Sequence, residues 1–429
     1  LEFRRVLFRS QAARQDGQRV LNELMEARLL REAVSERQLN EVLVDFWFNH
    51  FNVFVGKGEV RQYLPEYERD VIRPHVLGKF RELLGAVAHS PAMLFYLDNW
   101  QSAAPKAAPD RTLPADAMRR LADPSVPMPQ RQQLLARLQQ QRPGQARGLN
   151  ENYGRELMEL HTLGVDGGYT QQDVVAVARA LTGWTIDRPQ QGGGFIFRQQ
   201  MHDRDAKVIL GQQFPAGHGE DEGDRVLDML AAHPATAHHI AFQLAQRFIA
   251  DEPPASAVDR AAKVFLDTKG DLREVVRSLV TSPEFFAPAA YRAKVKTPLE
   301  FVVSAVRGSG ATVMNALPMV QALRGTLGMP LYGCQPPTGY SNTADAWVNT
   351  GALLSRMNVV LQIVNPQQRW VRADLEQLAP DTTDATRDHV VQSLLGGDAS
   401  ASTREVMAKA ETPQHLLALV LGSPEFQRR

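Results

Sequence analysis

Glu156 and Glu159, two carboxylates three residues apart, are the residues of this chain whose types and spacing best suit chemistry. On a helix, successive residues turn by about 100°, so Asn152, Glu156 and Glu159 fall on one stripe. Leu149, Tyr153, Leu157 and Leu160 form the adjacent apolar stripe, which would face a core. Two like charges at the edge of a buried face repel, and need a cation, a shared proton or a hydrogen-bond network. Their Cβ atoms would lie about 5–6 Å apart and their side chains project the same way. That suits joint binding of a divalent cation, or acid/base work. It suits less well an opposed pair flanking a glycosidic bond, for which Asp98 or Asp203 would have to supply the second carboxylate. In the competing structural reading, Arg155, Arg179 or Lys207 neutralises the pair.

Other residues could join such a site. His202 and Asp203 follow an irregular stretch, where functional side chains are often presented, and His202 could act as acid, base or metal ligand. Asn49 and His50 end an aromatic helix containing Phe46, Trp47 and Phe48; the helix dipole alone also favours a histidine there. Asp98 is either a capping acid or a catalytic partner. Glu156, Glu159, His202 and Asp203 are thus the catalytic candidates, with Asn49, His50, Asp98, Asn152 and Trp184 as substrate-binding candidates. His161 falls about 200° from Glu159, which removes the Glu-x-x-His di-metal pattern; no His-Glu-x-x-His occurs either. Gly192-Gly-Gly194 lacks the lysine of a phosphate loop, and no Gly-x-Ser-x-Gly elbow is present.

The elements that must position these residues are mostly helices. Periodicity predicts helix over 17–54, with Ser35 and Gln38 as an internal capping pattern, and again from about 77 to 88. The carboxylate helix should run over 149–163 and stop near Gly164. Thr170-Gln-Gln-Asp173 caps the next helix, which reaches Gly183. Phe195–Phe197 and Lys207–Leu210 are expected to pair as one small hairpin. Helices return at 223–232, 235–250, 255–268, 271–281, 297–311, 316–326, 346–362 and the C-terminus. The expectation is a mainly α fold: one large, irregular multi-helix domain with a small β-hairpin. A Ser-Pro echo at Ser90, Ser282 and Ser423 is expected to reflect reused capping chemistry.

Composition bounds the rest. Lys plus Arg and Asp plus Glu are balanced at 48 each in 429 residues, so no global field favours nucleic acid. No apolar run approaches the ~20 residues of a membrane-spanning helix. A single cysteine, Cys334, excludes a disulfide framework within the chain and any multi-cysteine zinc site. Residues 1–10 resemble translated adapter or cloning sequence, which leaves 11–429 as the domain. Residues 103–148, rich in Pro, Gln, Ala and Arg, are expected to form an exposed insertion of low local stability.

Several segments together carry a resemblance: Asp45-Phe-Trp-Phe-Asn-His-Phe-Asn-Val-Phe54, Ser90-Pro-Ala-Met-Leu-Phe-Tyr-Leu-Asp-Asn99 and Asn150-Glu-Asn-Tyr-Gly-Arg-Glu-Leu-Met-Glu-Leu160. With them, in order, stand Gly168-Tyr-Thr170, Ala180-Leu-Thr-Gly-Trp184, His202-Asp203, Lys296-Thr-Pro-Leu-Glu300 and Gln335-Pro-Pro-Thr-Gly339. The chain resembles the bacterial domain-of-unknown-function 1800 family, as a member lacking an N-terminal part. It departs from the usual pattern at Gly339-Tyr340, where Gly-Trp is common. The resemblance implies a largely helical fold, export from the cytoplasm, and a companion encoded nearby that looks like a sulfatase. It implies no activity. Two functional expectations follow. One is an exported hydrolase acting on a polysaccharide or other polymer through the Glu/Glu/His/Asp set. The other is a non-catalytic helical binding or assembly protein that works with a separate enzyme.

Overall fold

A computed structural model describes residues 2–104 and 148–429, with side chains from residue 17 onward. The expected insertion at 103–148 therefore lies outside the described residues, apart from positions 103, 104 and 148. Helices dominate the described residues. The first group is α1 (Glu2–Val34), α2 (Gln38–His50), α3 (Val60–Glu66), α4 (Phe80–Ala88) and α5 (Pro91–Tyr96). The carboxylate helix is α6 (Asn152–Glu159), followed by α7 (Gln171–Ala180). Then come α8 (Asp221–Ala231), α9 (Pro234–Phe248), α10 (Ala255–Asp267) and α11 (Leu272–Val280). The C-terminal part adds α12 (Pro298–Gly308), α13 (Leu317–Gly325) and α14 (Thr350–Val364), then shorter helices up to Leu421.

The expected helix over 17–54 is two helices. Gln38 bonds back to the carbonyls of Glu32 and Ser35, and the Ser35 hydroxyl accepts the Arg37 N–H at 3.0 Å, so the chain turns between α1 and α2. The Thr170 cap forms as expected, with Asp173 completing a reciprocal capping box. Asp173 also accepts the Leu210 N–H at 2.7 Å and so ties the start of α7 to a hairpin. The Ser-Pro sites do act as local caps: the hydroxyls of Ser90, Ser282 and Ser423 accept the N–H groups of Ala92, Phe285 and Phe426.

The strands correct the single expected hairpin. Phe195–Phe197 pairs antiparallel with Trp184–Ile186, and Lys207–Ile209 pairs with Gln212–Phe214. The reason is local. Leu210 and Gly211 both have positive φ, 49° and 77°, which is the two-residue turn that matches strand twist. Lys207–Ile209 therefore closes on its immediate neighbour, and Phe195–Phe197 pairs with Trp184–Ile186 instead.

α2 is buried almost all round: Leu43, Val44, Phe46, Trp47 and Phe48 are in the core. From Trp47 an aromatic seam runs through Phe51 and Phe80 to Phe265. Buried ion pairs brace the same region. Arg28 binds Asp45 at 2.6 Å, and Arg247 binds Asp45 at 3.2 Å and Glu300 at 3.1 Å, joining α1, α2, α9 and α12. The C-terminal end of α2, which carries Asn49 and His50, is thereby held rigidly.

Candidate functional site

α6 is shorter than its periodicity suggests. At its start, the Asn150 side-chain oxygen accepts the Asn152 N–H at 2.9 Å, while its amide nitrogen donates to the Asp98 carbonyl. At its end, the Thr162 hydroxyl donates to the Leu157 carbonyl at 2.6 Å, and the His161 N–H returns to the Glu156 carbonyl. That hydroxyl competes for carbonyls that would otherwise propagate the helix. Gly154 seats α6 on α7: a Cβ there would meet Ala178 N at 2.9 Å and Val174 O at 3.0 Å.

Tyr153, Leu157 and Met158 face the core, leaving Glu156 and Glu159 half-buried on the neighbouring stripe. The Glu156 carboxylate has no hydrogen-bond or ion-pair partner among the described residues. Burial, and then the charge of Glu159, raise its pKa above the usual carboxylate value; Arg155 opposes this only through space. Arg155 itself is turned to Gln171, at 2.9 Å, and to Glu151. Glu159 accepts a hydrogen bond from the Tyr169 hydroxyl at 3.3 Å. Tyr96, whose hydroxyl donates to the Gln335 carbonyl at 2.6 Å, feels the Glu156 charge: its pKa is raised by burial and then by Cys334 and Glu156.

One turn beyond Glu156, on the same face, Leu160 forms a wall of a cavity of about 230 Å³. α2 contributes Phe46, Asn49 and His50 to it, and α9 contributes Gln243. The remaining wall is the loop carrying Thr338, Tyr340, Ser341 and Asn342. Asn49 pins this loop as a strand neighbour would: its amide donates to Tyr340 O at 2.8 Å, and its oxygen accepts the Tyr340 N–H at 2.6 Å. Asn52 holds the preceding stretch through the carbonyls of Cys334 and Pro336.

Three histidines meet at the cavity wall: His50 lines it, and His161 and His239 each lie 6.2 Å from the His50 ring. His50 Nδ1 is 2.6 Å from Gln243 Oε1, and its Nε2 is 3.2 Å from His161 O. The Gln243 amide nitrogen is 3.1 Å from His239 Nε2. Burial, and then His239, push the His50 pKa down to about 4, so the ring is neutral at pH 7. Burial also lowers His161, whose two ring nitrogens, like the Tyr153 hydroxyl, have no hydrogen-bond partner among the described residues. His161, assigned in sequence to the face away from Glu159, is thus wholly interior because the helix ends before it. Among the described residues no group of three or more His, Cys, Asp or Glu has a metal-holding arrangement.

The other candidates are held elsewhere. Asp203 takes a bidentate pair from Arg179, at 2.8 and 3.0 Å. Burial opposes its ionisation, but that pair holds its carboxyl below the usual range. His202 Nδ1 lies 2.8 Å from the Thr182 carbonyl and its Nε2 3.3 Å from Glu222, which Lys207 approaches at 2.7 Å. The side chains of His202, Lys207 and Glu222 are fully buried. Trp184 is fully buried too, stacked on His89 at 4.3 Å, with its indole N–H donated to the Glu220 carbonyl. Asp98 pairs with Lys57 at 2.6 Å, and Asn152 is exposed on the first turn of α6. Asn49 and His50 thus meet the 334–342 loop and Glu156 reaches it only by way of Tyr96, whereas His202, Asp203 and Trp184 belong to interior networks. Gln243, Thr338, Tyr340 and Asn342 were not singled out from sequence. Only the matched Gln335–Gly339 motif and the departure at Tyr340 pointed to that loop.

Fold and site together define a mainly helical protein with a cavity free of Asp, Glu, Lys and Arg, one helical turn from a half-buried carboxylate that has no partner among the described residues. The chain belongs to the family described as "Protein of unknown function (DUF1800)", whose model matches residues 2–428. No curated protein and no solved structure matches it. No helix among the described residues is long and apolar enough to cross a membrane.

Proposed function

We propose that the chain is an exported hydrolase acting on a polysaccharide or related polymer, with Glu156 as the proton donor. The observation that carries this reading is the Glu156 carboxyl: half-buried, without a cation partner among the described residues, and one turn from a cavity wall. A carboxyl raised by burial and by a charged neighbour is shifted in the direction that a proton donor to a leaving oxygen requires. Glu159, bonded to Tyr169, supplies that neighbouring charge. Both project from one side of α6, so the group that activates water must come from another element or from the substrate. If the pair works through a divalent cation, Glu156 and Glu159 would be its first ligands and water or substrate oxygens would complete the shell. Export, and a sulfatase-like companion, accompany this reading through the family resemblance alone.

A second reading, a binding or assembly protein partnering a separate enzyme, draws on α14. That helix exposes Leu353, Leu354 and Leu361, an apolar surface suited to a partner. Incubation with a panel of purified polysaccharides, followed by assay of new reducing ends, separates the two. The hydrolase reading expects release from at least one polymer, and a loss of about 10²–10⁴-fold in Glu156→Gln, the usual worth of a positioned acid. No release would favour the second reading, and an unchanged rate in the variant would remove Glu156 from the role of proton donor.

A further inference from the structure

The cavity between α2, α9 and the 334–342 loop has a chemistry of its own. None of its lining residues is Asp, Glu, Lys or Arg, and its histidine is neutral at pH 7. The cations near the loop are spent, Arg28 on Asp45 and Lys294 on Asp251. Lys294 donates to the Asn342 carbonyl and pairs with Asp251, whose other oxygen accepts the Ala344 N–H at 2.8 Å. Two kinds of surface remain. Phe46 and Tyr340 offer aromatic carbon, with Trp347 packed 6.0 Å from Tyr340. Thr338 and Asn342 offer polar groups that are barely used. The Thr338 hydroxyl reaches only Gly339 O, at 3.5 Å, and the Asn342 side-chain amide has no hydrogen-bond partner among the described residues. The amides of Asn49 and Gln243 are already committed, to the Tyr340 backbone and to the histidines. They fix the shape of the cavity, while Thr338 and Asn342 remain to read a ligand.

We propose that this cavity is a subsite for one uncharged sugar unit of a polysaccharide, seated against Phe46 and Tyr340 and hydrogen-bonded by Thr338 and Asn342. A volume of about 230 Å³ is below that of a drug-sized pocket and suits one ring. Apolar C–H faces of a sugar ring pack on aromatic carbon, and its hydroxyls need paired donors and acceptors of the kind that an amide and a hydroxyl supply. A uronate or a sulfated sugar would bring a charge that no lining group can neutralise, and burying an unpaired charge is strongly disfavoured. The proposal rests on the hydrolase reading for its polymer, and it places the next bond of that polymer toward Glu156, one turn along α6.

Calorimetric titration tests it. The probes are neutral cello-, xylo-, manno- and chito-hexaoses, with hexagalacturonate as the charged control. At least one neutral oligomer should bind the wild-type chain, and hexagalacturonate should not. Thr338→Trp fills the cavity from an exposed loop position, and should weaken that binding at least tenfold. Asn342→Ala, which adds no bulk, should weaken it as well, and a melting curve of each variant checks that it is folded. Binding of hexagalacturonate in preference to every neutral oligomer, wild-type affinity in both variants, or no neutral binding at all would each overturn the proposal. Glu156→Gln should bind the neutral oligomer as the wild type does. If it binds and also still hydrolyses, Glu156 is not the proton donor; if the wild type binds but releases nothing, the hydrolase reading fails; in both cases the subsite stands. If hydrolysis is lost in Glu156→Gln but no neutral oligomer binds, the subsite fails alone.

Discussion

Lys207→Met is expected to destabilise the protein by about 3–5 kcal/mol, the usual cost of stranding a buried charge. The Lys207 side chain is wholly buried, 2.7 Å from Glu222 Oε2 and 3.8 Å from Asp203 Oδ1. It also donates to the carbonyls of Asp203 and Asp205 at 2.6 and 2.9 Å. Methionine fills the same space but supplies no donor. Glu222 would keep only His202, at 3.3 Å, for company in a site without water access. The double variant Lys207→Met, Glu222→Gln removes both charges and should recover much of the loss, because the two changes share one network. Denaturant unfolding checks this. A cost below about 1 kcal/mol for the single variant would mean that the network is not a scaffold, and would return His202 and Asp203 to the list of reacting groups.

Gly339→Ala should act on the site more than on the fold. Gly339 has φ of +70°, and a Cβ there would lie 2.3 Å from the Asn49 carbonyl oxygen and 2.6 Å from its side-chain oxygen. Neither can yield easily: one is helix backbone, and the other is engaged with the Tyr340 N–H. The substitution adds about 1–3 kcal/mol of backbone strain and displaces Thr338 to Asn342 from the cavity. The expected result is a modest fall in melting temperature together with at least a tenfold loss of polymer hydrolysis. Full activity in this variant would show that the loop takes no part.

The helices were legible because their signals are local. The capping box at Thr170 and Asp173, the aromatic run of α2 and the stripe holding Glu156 and Glu159 all depend on spacings of three or four residues. What sequence could not show was the choice of partner. Arg179 and Lys207 were equally available on paper to the glutamates of α6, and the fold gives them to Asp203 and Glu222 instead. Asp45, Arg247 and Glu300 form one buried cluster from three distant segments, and no periodicity encodes such pairing. The fate of His161 turned on one competing hydroxyl, that of Thr162. The cavity was hidden for the same reason: its walls come from α2, Leu160 just past α6, α9 and a loop whose Tyr340 is 291 positions from Asn49.

The central claim is that Glu156 is an unpaired acid kept for use and not a scaffold carboxylate. Melting temperatures of the wild type and of Glu156→Gln as a function of pH address it most directly. A carboxyl whose pKa rises on folding holds its proton longer in the native state than in the unfolded one. Its contribution to stability therefore falls as pH climbs through the ordinary value of 4.5 toward the raised one. Glutamine keeps the shape and carries no charge, so the variant escapes that loss. The account predicts nearly equal melting temperatures at about pH 3.5, and a variant at least as stable as the wild type at about pH 7. A variant that melts well below the wild type at pH 7 would contradict it, because such a loss is the signature of a cation stranded without Glu156.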